Sequence, residues 1–91
     1  MIIENSMIPQ VSSMVKVRNE DFGLLLVSKK TPILALNDDS KLIWNCIDGE
    51  SSVENIISKL NEEINGTIED TEKVVKCFLE SVYDLRLIEL D

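Results

Sequence analysis

PILALNDDSKLIWNCIDGESSVENIISKL, residues Pro32 to Leu60, decides how the rest of the chain is read. Four consecutive apolar residues, Ile33-Leu34-Ala35-Leu36, led in by Pro32, predict a short strand. Asn37, Asp38 and Asp39 then supply N-cap side chains ahead of Leu42, Ile43, Cys46 and Ile47, whose spacing is one face of a short helix. Asp48-Gly49 ends that helix, because glycine takes the left-handed conformation after a helix without steric cost. Ser51 to Glu54 has the pattern of a capping box, opening a second helix whose buried stripe is Val53, Ile56, Ile57, Leu60 and Ile64.

Upstream of this stretch, residues 1–12 show no period and are interrupted by Pro9, so a flexible N-terminal arm with a short extended piece is expected, followed by one domain over 13–91. From Ser13 to Arg18, Val15 and Val17 alternate with Met14, Lys16 and Arg18, the mark of a half-buried strand. Asn19 to Gly23 is turn chemistry, and Leu24 to Val27 is a second strand, apolar at every position. Ser28 to Thr31 turns the chain into the third strand, at whose entrance Pro32 is tolerated. Two successive hairpins make a three-stranded antiparallel meander.

Downstream, Asn65-Gly66 breaks the helical pattern, and Thr67 with Asp70 caps a third helix running from about Ile68 to Asp84. One stripe, Val75, Phe78, Val82 and Leu85, is expected to face the other helices. The neighbouring stripe is Glu72, Lys76, Leu79, Tyr83 and Arg86, and Leu87 to Leu90 finish as an extended tail. The predicted fold class is α+β: a three-stranded antiparallel sheet followed by three helices, with a winged-helix-like helical half.

Ninety-one residues, 44% of them apolar, make one globular domain and leave no room for a second domain closing a deep catalytic cleft. A net charge of −8 opposes binding to nucleic acid and to anionic membranes, and suits a peptide or protein partner. No apolar run is long enough to cross a bilayer, and Met1-Ile2-Ile3-Glu4 lacks a basic start, so a cytoplasmic location is expected. Two cysteines, Cys46 and Cys77, lie on separate helices in a chain without histidine, which excludes the usual metal and thiolate chemistry. Neither a metal nor a cofactor is expected, and the three glycines stand too far apart to cradle phosphate. NEEINGTIEDTE, Asn61 to Glu72, imitates a calcium loop, with Gly66 at position six and Glu72 at twelve. Asn61 in place of the leading aspartate and the lack of a paired loop weigh against calcium, and capping by Thr67 and Asp70 explains the same letters.

The third strand is the informative element. Ile33 to Leu36 hold no Lys or Glu to blunt strand pairing, and in a meander this strand is an edge. Its free amides and carbonyls suit an extended peptide added as a fourth strand, unless a terminus or a second copy of the chain already covers them.

Leu36-Asn37, Ile43-Trp44, Asp48-Gly49 and Ser52-Val53-Glu54, in that order, resemble the PqqD-like family, the leader-peptide recognition elements of ribosomally made, post-translationally modified peptide pathways. The resemblance runs from about Val15 to Leu90. It implies a non-catalytic adaptor that holds a precursor's leader antiparallel to the third strand, in a cleft shared with the third helix. It would present the rest of the precursor to a modifying enzyme, in such families a radical S-adenosylmethionine enzyme, a cyclase or a protease. Carried onto this chain, one wall is Ile33, Leu34, Ala35 and Leu36, and the other is Lys76, Leu79 and Tyr83, with Leu79→Asp expected to weaken binding in an intact fold. Two alternatives are a winged-helix DNA-binding regulator and a homodimerising structural subunit paired through its own third strand. The third helix argues against the first, since Lys73, Lys76 and Arg86 face Glu69, Asp70, Glu72, Glu80 and Asp84.

Overall fold

A computed structural model describes residues 3–29, 31–64 and 67–90. The elements in order are β1 (Pro9–Val11), β2 (Lys16–Glu20), β3 (Gly23–Ser28), β4 (Thr31–Leu36), α1 (Asp38–Asn45), α2 (Val53–Ile64), α3 (Ile68–Asp84) and β5 (Ile88–Leu90). Strands β2, β3 and β4 form the expected antiparallel meander with β3 in the middle. Leu24 and Leu26 of β3 face Leu36 and Leu34 of β4 in register, and a register shift follows between Leu26 and Ser28.

Helix α1 packs on β3 and β4 and touches both other helices, so the inner face of that hairpin is covered. Leu24, Leu26 and Leu36 are buried there with Ile43 and Trp44. β2 lies outside this cover. It spans Lys16 to Glu20 rather than Ser13 to Arg18, and its Val17 is exposed, so the half-buried strand read from the alternation is an exposed edge. The turn into β3 is correspondingly tighter than expected, with Asn19 and Glu20 already paired to Leu24 and Gly23.

The helix starts follow local chemistry. Asn37 caps α1 by accepting the Ser40 amide at 2.9 Å, and Thr67 caps α3 by accepting the Asp70 amide at 3.3 Å. The cap of α2 moves one residue from the expected box: Ser52 accepts the Asn55 amide, while the Ser51 hydroxyl donates to Asp48. Asp48 also accepts the amides of Ser51 and Glu50. These bonds, the Ser51 amide foremost, hold its carboxyl below the ordinary aspartate range. Since the folded value lies below the unfolded one, their stabilisation is complete above the unfolded value and is lost as pH falls through the folded one. Asp48→Ala should therefore cost less stability at acid pH than at neutrality. Urea melts at the two pH values check this, and an equal loss at both would contradict it.

The two ends of the chain meet in a second sheet that periodicity did not reveal. β1 and β5 pair antiparallel, Val11 opposite Ile88 and Pro9 opposite Leu90. Within the first twelve residues, expected as an arm, Ile3 and Pro9 are buried. The carbonyls of Met7 and Asn5 accept the Val53 and Glu54 amides, satisfying donors that the first turn of α2 leaves open. α3 ends in a Schellman motif, with the Leu87 amide donating to Val82 and the Arg86 amide to Tyr83. Arg86 takes the left-handed conformation usually given to glycine there, φ 61°, which turns the chain back into β5.

α3 packs on α2 and β5, and its buried residues are Thr71, Val75, Leu79 and Val82. The expected core stripe is thus partly displaced: Val75 and Val82 hold, Leu79 joins them, and Phe78 and Leu85 are only partly buried against the core. α1, α2 and β5 all pack on α3, which widens the covered arc beyond one stripe. Thr71 tolerates burial because its hydroxyl lies 2.9 Å from Asn61 Oδ1 and 3.0 Å from the Thr67 carbonyl.

Candidate functional site

β4 has β3 on one side and, among the described residues, no strand on the other. The terminal strands pair with each other rather than with β4. Along β4 the side chains alternate in fate. Ile33 is 63% exposed and Ala35 is exposed, whereas Leu34 is half-buried and Leu36 lies in the core. The family resemblance implies that all four lie on one wall. Only Ile33 and Ala35 offer open side chains, but strand addition uses the backbone of each.

The other expected wall does not assemble. Leu79 has 0% exposure and sits in the core. Lys76 is half-buried and bound to Glu72 at 2.8 Å. Tyr83 is at the surface and lines a different hollow, with Ser12, Met14, Ser28 and β5. The residues of α3 that face the start of α1 are Lys73, Val74, Cys77, Phe78 and Ser81. With Asp39, Ser40 and Ile43 opposite, they enclose a groove of about 420 Å³.

This face follows from assigning Thr71, Val75, Leu79 and Val82 to the core, because 74, 77, 78 and 81 are then the adjoining line on the helix. The alternative stripe through Phe78 and Leu85 shares Val75 and Val82 and has equally good helical spacing. No signal within the helix chooses between the two.

The groove carries one carboxylate, Asp39, and one ammonium, Lys73, among apolar and small side chains. The Ser81 hydroxyl is turned inward to the Cys77 carbonyl at 3.0 Å. Both cysteines are free: Cys77 is exposed on the groove, and Cys46 is buried. Burial pushes the Cys46 thiol up, with Lys59 only partly opposing it. Trp44 is a core residue.

Among the described residues no group of three or more His, Cys, Asp or Glu side chains could hold a metal ion. The calcium-like spacing dissolves as well. Asn61 and Glu63 lie within α2, and Asn61 accepts from Thr71 instead of facing a loop. Asn65 and Gly66, the expected break, lie outside the described residues. No described helix is long and apolar enough to cross a membrane.

The fold is an α+β domain with an open sheet edge on β4 and a groove between α1 and α3. The family of coenzyme PQQ synthesis protein D (PqqD) matches residues 23–88, and the chain belongs to that family. Its fold is similar to the solution NMR structure of the PqqD truncation of Methylobacterium extorquens PqqCD. That protein is described as a functional, stand-alone recognition element for ribosomally synthesised and post-translationally modified peptides. The two share 18% identity over 97% of this chain and 95% of the other, with a TM-score of 0.81. No protein of curated function matches the chain in sequence.

Proposed function

We propose that this chain is a non-catalytic adaptor that binds the leader of a ribosomally made precursor peptide and presents the precursor to a modifying enzyme. The leader adds to β4 as an antiparallel strand and sets alternate side chains into the groove against α3. The observation that supports this reading is the open β4 edge on the same molecule as an apolar groove along α3. Membership of the PqqD family agrees with it.

Each apolar anchor buried in the groove contributes roughly 1.5–3 kcal/mol, and each strand hydrogen bond about 1 kcal/mol net. Ordering a flexible leader offsets part of this. A surplus of about 8 kcal/mol corresponds to micromolar binding, which holds a substrate and still releases it. The adaptor's contribution is effective concentration at the enzyme. A second copy would use the same edge, so dimer and leader would compete.

Cys77 makes the site directly testable. It is exposed on the groove, while Cys46 is buried and its thiol is the less reactive. A synthetic leader from a precursor encoded beside this chain is expected to slow alkylation of Cys77 and leave Cys46 unchanged. Val74→Glu, at a position 55% exposed, should keep the melting temperature and weaken the leader by about tenfold or more. Unaltered alkylation at saturating leader, or unaltered affinity in the variant, would refute this placement.

A further inference from the structure

The groove between α1 and α3 opens at the start of α1, which follows the end of β4 through Asn37. Beside it lies a second hollow of about 250 Å³ between the three helices, walled by Leu42, Ile43, Leu60, Val74 and Val75. Asp39, Ile43 and Val74 line both spaces, so the two adjoin. Of the two polar residues that line the hollow, Asp39 is exposed to solvent, and Thr71 has its hydroxyl engaged with Asn61 and the Thr67 carbonyl. At the mouth, Leu42 on α1 and Val74 on α3 are exposed apolar side chains, 38% and 55%.

We infer that this hollow is a second recognition subsite, taking one large apolar side chain of the leader from residues N-terminal to those paired with β4. The inference rests on the proposed strand addition. In an antiparallel pair the guest's N-terminal end lies beside Leu36, where β4 hands over through Asn37 to α1, and α1 is one wall of the hollow. The guest's N-terminal continuation is therefore the part that reaches Leu42.

Size and lining fix the occupant. Pockets for small-molecule ligands run from about 300 to 1,000 Å³, and this one is below that range and far too small for a helix. It suits a single Leu, Met or Phe side chain, for which no unpaired polar group needs to be left behind. Such a subsite also reads polarity, because a peptide laid parallel to β4 would bring its C-terminal flank there instead.

A displayed library of random linear peptides, selected on the unaltered protein, tests the idea. Selected peptides should carry a large apolar residue N-terminal to an alternating strand segment. Changing that residue to Asp should weaken binding about tenfold or more in the unaltered protein. In Leu42→Lys the same change should cost less than about twofold, since the subsite is already lost. If Leu42→Lys does not fold, Leu42→Ala is read in the same way.

Equal losses in both proteins, or no N-terminal apolar preference among peptides that shield Cys77, would overturn the subsite and leave strand addition standing. Peptides that bind without shielding Cys77, or a library yielding no binder, would overturn both.

Discussion

Leu79→Asp is expected to unfold the domain, not to weaken binding in an intact fold as the sequence suggested. Leu79 is fully buried in the middle of α3, in line with Val75 and Val82 and against α2 and β5. Removing a buried leucine costs about 2–5 kcal/mol, and a carboxylate left there without a partner adds several more. A domain of this length has only about 5–15 kcal/mol in total. Far-ultraviolet circular dichroism and the fluorescence of buried Trp44 should both report loss of the native state at room temperature. Val74→Glu, five residues earlier on the same helix, should leave both signals intact. The contrast decides which face of α3 is core. A Leu79→Asp protein that melted like its parent would mean that the Thr71–Val75–Leu79–Val82 face is not packed inside, and the groove assignment would fail with it.

Gly23→Ala is expected to be the second most damaging single change, although it adds one methyl group. Gly23 has φ of 145°, a conformation that side chains rarely adopt. A Cβ there would collide with the carbonyl oxygen of Leu36, a backbone atom that cannot swing away. The clash falls where β3 opens against the end of β4, directly ahead of the Asn37 cap of α1. Relief requires the strands to part or the backbone to strain, at a cost of about 3 kcal/mol or more.

Gly49→Ala is the control. Gly49 also has positive φ, 80°, but the nearest atom to a new Cβ is Gln10 Cγ at 3.6 Å, an ordinary contact. Its cost should be about 1 kcal/mol, from conformation alone. Denaturant melts of the two variants check the difference, and equal destabilisation would show that the approach of Leu36 to Gly23 does not matter. Because Leu36 also ends the open edge, Gly23→Ala should weaken leader binding in whatever fraction remains folded.

Much of this architecture was legible in the residues because it is local. Asn37 and Thr67 cap helices through amides three residues ahead, whereas α1 already ends at Asn45 with Cys46 right-handed, so the Asp48 Asx turn and the positive-φ Gly49 shape the link to α2 rather than the helix end. The unbroken apolar runs of β3 and β4 read as strands, and their short connections left a meander as the simple topology. The open edge of β4 followed from that order and from the absence of charge in Ile33 to Leu36.

The groove wall on α3 was another matter. Arg86, in place of the usual glycine, also hid the reversal that sends the chain into β5.

By itself, the sequence determined the three-stranded meander, the three helices after it and the caps of α1 and α3, since each depends on groups a few residues apart. It also carried the PqqD-like order of motifs that the family match over residues 23–88 bears out. Only the tertiary structure decided which line of α3 is buried, and that β1 and β5 join the two ends of the chain. Both depend on partners remote in sequence. A helix with two equally spaced apolar stripes has no internal reason to prefer one, and three-residue strands are too short to show a period. Packing against α2 and β5 turned Leu79 inward, and that left Val74, Cys77, Phe78 and Ser81 as the line facing the groove.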